Sequence, residues 1–167
     1  WELQFLNKSY DLIFPNTFQG IETYVNTMYN AGTCPEFEVY DVGMVNNLAY
    51  FASQGIVKKP IYIQFVMGIM GGIPATPENL MFLLKTAKEQ LGEFVWSCAA
   101  AGKQQFKMAA VAMALGGNVR IGLEDNLYIR PHVLARSSAE QAIQVREIAE
   151  RLGLEIATAK EARAMLN

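Results

Sequence analysis

The feature that most limits what this chain can fold into is a repeated alternation of short β-rich runs with longer helical patterns, each helix ending at its own stop signal. Residues 35–40 read as a short strand and residues 44–54 as a helix that stops at Gly55. Residues 61–66 read as the next strand, before a helix over 77–91 with Thr76 as N-cap, Pro77 at its first position and Gly92 beyond its end. The cycle repeats with a strand over 94–98, a helix over 104–115 ended by Gly116 and Gly117, and a strand over 118–123. A strongly amphipathic helix over 138–152 stops at Gly153, a short one covers 158–166, and one more helix, 18–30, precedes the first strand. Strands alternating with helices at this spacing predict βαβ units and a parallel sheet.

The composition supports a packed fold and excludes several roles. With 51% hydrophobic and 18% charged residues, the chain lies far from the regime of disorder. Fourteen Lys and Arg against 16 Asp and Glu give a net charge of −2, with no basic patch to replace counterions on phosphate, so no nucleic-acid partner is expected. The longest apolar stretches, such as 61–73, are broken by Gln64 and by glycines and fall short of the roughly 20 residues of a membrane helix. No membrane span is expected. Cys34 and Cys98 lie far apart and form no CxxC pair, which suits a reducing cytoplasm, and no signal peptide is visible. The first residue is Trp1 rather than Met, so the expectation is a processed chain or a piece of a longer polypeptide.

Two of the four strands carry charge where a doubly wound sheet would be apolar on both faces. Period-two alternation in 118–124 puts Val119, Ile121 and Leu123 on one face and Arg120, Gly122 and Glu124 on the other. Residues 36–40 repeat this, with Phe37 and Val39 facing outward and Glu36, Glu38 and Tyr40 inward. Charged groups taken from water must be paired or coordinated. One reading is a set of structural ion pairs, Arg120 with Glu36 or Glu38. The other is a functional site, since Glu124 and Asp125 fall at the carboxyl end of the last strand, where α/β folds place ligands. Adjacent carboxylates point different ways, so one could hold a metal and the other act as a base tuned by Arg120.

The loop 68–76 follows the second strand at the same end. Its Gly68, Gly71 and Gly72 would let backbone N–H groups approach a phosphate or thioester, with the helix start at Pro77 adding its positive end, although a plain βα turn fits equally well. His132 is the single histidine and reads as a solvated residue or ligand contact. Met44, Met67, Met70, Met81, Phe82, Phe94 and Trp96 read mostly as core.

Taken in order, the motifs Pro35-Glu36-Phe37-Glu38-Val39-Tyr40, Gly43-Met44-Val45, Ile63-Gln64-Phe65-Val66-Met67-Gly68 and Gly122-Leu123-Glu124-Asp125-Asn126 resemble the β-keto acid cleavage enzymes, of the 3-keto-5-aminohexanoate cleavage type. The resemblance runs from about Cys34 through the tail 157–163. It implies a zinc-dependent (β/α)8 TIM barrel that cleaves a β-keto acid with acetyl-CoA, giving acetoacetate and a CoA thioester. It further implies Glu124 as the carboxylate zinc ligand, Asp125 as the base, Arg120 as the partner tuning that base and Glu38 as an active-site acid. In this scheme zinc polarises the substrate ketone and Asp125 takes a proton from the methyl of acetyl-CoA.

The family's His-x-His zinc motif belongs to a preceding half of the barrel and is missing here, so residues 1–167 match strands five to eight alone. The expected partners are therefore a β-keto acid, acetyl-CoA and a missing N-terminal half-barrel, another subunit or a symmetric copy, in a homo-oligomer. Two other readings stand beside this one: a catalytically incomplete half-barrel module with structural inward charges, and a barrel lyase or aldolase using Lys103 or Lys107 as a Schiff base.

Overall fold

The computed structural model describes residues 13–166, so Trp1 lies outside the described residues. Thr17 caps the first helix, α1 (Phe18–Asn30), by accepting from the Gly20 amide at 3.0 Å. Strand β1 (Glu36–Val39) leads into α2 (Val42–Ser53), whose start is set by Asp41, its carboxylate accepting from the Gly43 and Met44 amides. Then follow β2 (Tyr62–Met67), α3 (Pro77–Leu91), β3 (Val95–Ala100) and α4 (Gln105–Ala114). The expected N-cap at Thr76 is present: its hydroxyl accepts from the Asn79 amide.

The fourth strand, β4, is only Asn118–Val119, shorter than the expected 118–123. After it the chain leaves the sheet in a tight turn and forms a small hairpin of β5 (Tyr128–Arg130) and β6 (Val133–Leu134), which the sequence pattern did not announce. Two helices end the fold: α5 (Ser138–Arg151), capped by Ser137, and α6 (Ala159–Leu166).

The four main strands form one parallel sheet in the order β1-β2-β3-β4. The register pairs Glu38 with Gln64, Gln64 with Ser97, and Ser97 with Asn118. One face therefore carries Glu36, Glu38, Gln64, Ser97, Asn118 and, one pleat on, Arg120. The other face carries Val39, Ile63, Phe65, Met67 and Cys98, which form the main core with Leu80 and Leu83 of α3 and Val45 and Leu48 of α2. Met67 and Trp96 join this core, and Met44 and Phe94 pack against it. Met70, Met81 and Phe82 depart from the core expectation. Met70 sits in the loop after β2, Met81 and Phe82 point from α3 to solvent, and all three are exposed. No helix among the described residues is long and apolar enough to cross a membrane.

Candidate active site

Arg120 is the centre of a polar cluster at the carboxyl ends of the strands. Its amide donates to the Cys98 carbonyl at 3.0 Å, extending the β3–β4 ladder one residue beyond β4 and aiming the side chain along the charged face. Nη1 donates to Glu38 Oε1 at 2.9 Å and to Gln64 Oε1 at 2.8 Å, and Nη2 donates to Glu124 Oε2 at 2.6 Å. Nε lies 3.4 Å from Asp125 Oδ2. Gln64 in turn donates from Nε2 to Glu36, and the Tyr40 hydroxyl donates to Glu38. The sheet register and the Arg120 fork thus bring together Arg120, Glu38, Glu124 and Asp125, four of the residues singled out in sequence.

Glu124 and Asp125 do not sit on a strand as expected. They ride a turn in which the Gly122 carbonyl accepts from the amides of Asp125 at 3.2 Å and Asn126 at 3.1 Å. The turn gives them unlike surroundings: the Glu124 side chain is 79% exposed and the Asp125 side chain 9%. Burial pushes the Asp125 carboxyl above its ordinary range; Arg120 opposes this, and Glu124 and Glu38 reinforce it. Burial, with help from the hydrogen bond to Glu38, pushes the Tyr40 hydroxyl up to about 12, so it remains a donor at neutral pH. A sheltered carboxylate whose basicity is raised, held beside a fixed guanidinium, is equipped to move a proton.

The loop after β2 reaches the same end of the sheet. Gly68 and Gly71 have φ of 82° and 87°, and the Ile73 amide donates to the Tyr40 carbonyl at 2.7 Å, tying this loop to β1. The Gly68 amide donates to the Ile73 carbonyl and the Gly72 amide to Ile69, so both are already engaged within the turn. The Gly71 amide makes no backbone hydrogen bond among the described residues.

A metal centre is not assembled by these residues alone. Among the described residues no group of three or more His, Cys, Asp or Glu side chains is arranged to hold a metal ion. Glu124 faces Arg120 as a single carboxylate, and His132 is exposed in the β5–β6 turn with φ of 64°. The described residues by themselves therefore do not complete the three or four donors of a zinc site. Lys103 and Lys107 are exposed, and neither is among the partners of Arg120. Sequence reasoning assigned no role to Gln64, Gln105 or Gln141. Their signal was a long polar side chain in an otherwise buried position, visible in sequence for Gln64 within its apolar strand.

Comparison with known proteins gives one family. The family model described as beta-keto acid cleavage enzyme matches residues 2–167. A 3,5-dioxohexanoate:acetyl-CoA acetone transferase from Paraburkholderia graminis is 45% identical over 167 residues, covering 99% of this chain and 54% of that protein. A 3-keto-5-aminohexanoate cleavage enzyme from Acetoanaerobium sticklandii is 40% identical over 156 residues, covering 93% of this chain and 56% of that protein. The chain spans about half the length of the curated relatives it matches. Among solved structures, apo ObcA superposes with a TM-score of 0.78 at 22% identity over 90% of this chain and 40% of that one, which shows a shared fold. From the motifs, the sheet and these matches together, the chain belongs to the beta-keto acid cleavage enzyme family.

Proposed function

We propose that this chain is the C-terminal portion, strands five to eight, of a (β/α)8 barrel enzyme that uses acetyl-CoA to convert a β-keto acid into acetoacetate and a new CoA thioester. The observation that carries this reading is Asp125, 3.4 Å from the Arg120 Nε and shielded from water at the carboxyl ends of the strands. The name of the Paraburkholderia graminis relative, which pairs 3,5-dioxohexanoate with acetyl-CoA, supports the reaction class.

Atom balance revises which proton Asp125 takes. If the acetyl-CoA methyl lost the proton and added to the ketone, the acetyl carbons would stay on CoA and acetoacetate would not form. Acetoacetate arises when the base removes a proton from C2 of the β-keto acid and that carbanion attacks the thioester carbonyl, expelling CoA thiolate. The thiolate then adds to the original ketone, the bond from that carbon to C2 breaks, and the carbanion released from C2 takes a proton back. The products are acetoacetate and the thioester of the remaining acyl group.

In this scheme Asp125 holds and returns the proton, and Arg120 stabilises negative charge on the substrate with the Nη2 hydrogen that its protein partners leave over. Glu38 is the acid that, with Tyr40, fixes the guanidinium. The loop of Gly68, Gly71 and Gly72 faces the CoA thioester, with the Gly71 amide as its available donor. Glu124 would offer a zinc ion one carboxylate, with the other donors coming from outside these residues. A reducing cytoplasm and a homo-oligomer complete the reading.

The Arg120–Glu38 ion pair favours a second reading, a half-barrel with purely structural charges. One substitution separates them. In the complete enzyme, Asp125→Asn should lower acetoacetate formation from a β-keto acid and acetyl-CoA by about 10²–10⁴-fold while leaving the melting temperature nearly unchanged. Full retained activity would rule out Asp125 as the base.

A further inference from the structure

Two fully buried glutamines hold the turn that carries Glu124 and Asp125, one from each neighbouring helix. Gln105 opens α4 and is 1% exposed; its Oε1 accepts from the Gly122 amide at 3.2 Å. Gln141 lies in the first turn of α5 and is 0% exposed; its Nε2 donates to the Asn126 carbonyl at 2.6 Å. The two amides therefore grip the first and last residues of the turn. Between them the turn is secured from outside by the Gly102 amide, which donates to the Asp125 carbonyl at 2.7 Å, and by the Ser138 hydroxyl, which accepts from the Leu123 amide at 3.3 Å.

Space filling does not explain these residues. Among the described residues each glutamine keeps one buried polar atom without a hydrogen-bond partner, Gln105 Nε2 and Gln141 Oε1, a penalty that a methionine of similar volume would avoid. What an apolar side chain lacks is a directional hold on Gly122 and Asn126. We propose that Gln105 and Gln141 are positioning residues that fix the 122–126 turn and, through it, the approach of Asp125 to Arg120. The kinetic half of this inference rests on the function proposed above; the hold on the turn does not.

The test compares the full-length enzyme with its Gln105→Met and Gln141→Met variants. In each variant kcat for acetoacetate formation should fall about 10–100-fold, the scale of an ångström-sized misplacement, with KM for acetyl-CoA within about twofold. The double variant should lose far less than the product of the single losses, because both amides serve one turn. Amide hydrogen exchange at Asp125 and Asn126 should accelerate about tenfold or more, with β2 and β3 unchanged. Gln105→Glu, which keeps an acceptor for the Gly122 amide, should recover kcat above the level of Gln105→Met.

Unchanged kcat, or a loss that merely follows the folded fraction, overturns the positioning role, as does a Gln105→Glu variant no better than Gln105→Met. If the wild-type enzyme forms no acetoacetate from any β-keto acid tried, the proposed function fails and the hold on the turn is judged by exchange, where unchanged rates at Asp125 and Asn126 overturn it.

Discussion

Gln64 sets the aim of Arg120. It is buried in the middle of β2, accepting from the guanidinium on one side and donating to Glu36 on the other, so its amide orientation is fixed by both partners. Glu36 carries a consequence for stability. Burial and the neighbouring Glu38 raise its carboxyl above the ordinary value, against the pull of Arg120. Between the unfolded and the folded value the native state holds more protons than the unfolded one, so stability falls as pH rises through that window. The favourable, protonated contribution is complete only below the ordinary carboxylate range. Glu36→Gln keeps an acceptor for Gln64 and removes the charge, so the variant should gain in melting temperature over wild type at neutral pH and lose that advantage in acid. Thermal melts across pH 3–8 check this, and an advantage independent of pH would contradict it.

At the scale of elements, the strand and helix alternation was legible because its punctuation is local: Thr76 caps the helix it precedes, and Gly55, Gly92, Gly116 and Gly153, all at positive φ, follow the ends of helices. Where the partner is distant, sequence said less. β4 stops at Val119 because the next residues are drawn into the 122–126 turn by Gln105 and Gln141, 17 and 15 residues away from the groups they hold. Arg120, Glu124 and Asp125 could be gathered from alternation and motif, yet the unequal exposure of the two carboxylates follows from the turn. Gly117 shows another distant constraint. A Cβ there would stand 2.3 Å from Cη2 of the buried Trp96, so the helix–strand connection passes against the indole face only because the residue is glycine. Gly117→Ala should therefore destabilise the fold by about 1–3 kcal/mol, the range for overpacking, measured by denaturant unfolding. The neighbouring Gly116, with φ of 82°, has nothing within 4 Å of a built Cβ, so its alanine variant would be strained by backbone conformation alone.

At the scale of the whole molecule, the two ends of the charged face are unlike. Near the amino ends of the strands α6 packs on this face: the Tyr62 hydroxyl donates to the Met165 carbonyl at 2.5 Å, and Tyr62, Val95 and Asn118 line a small cavity with Ala162 and Met165. The carboxyl ends hold the Arg120 cluster, with the Glu124 side chain open to solvent. Laterally, β1 and β4 are the outer strands of the four-stranded sheet, and along β1 runs a groove of about 360 Å³ lined by Val25, Phe37, Leu48 and Phe51. Outer strands with unsatisfied main-chain groups must be covered or paired, and the relatives are about twice this length. A closed barrel answers both facts by adding strands on each side. Hydrogen exchange on the full-length enzyme provides the test with its own internal control. In an outer strand of a parallel sheet, alternate amides face away from the neighbour and exchange fast, whereas a strand paired on both sides protects all of them. Every amide from Phe37 to Val39 should therefore exchange as slowly as those of β2, and an alternating fast and slow pattern in β1 would show that this edge stays open and that the barrel does not close there.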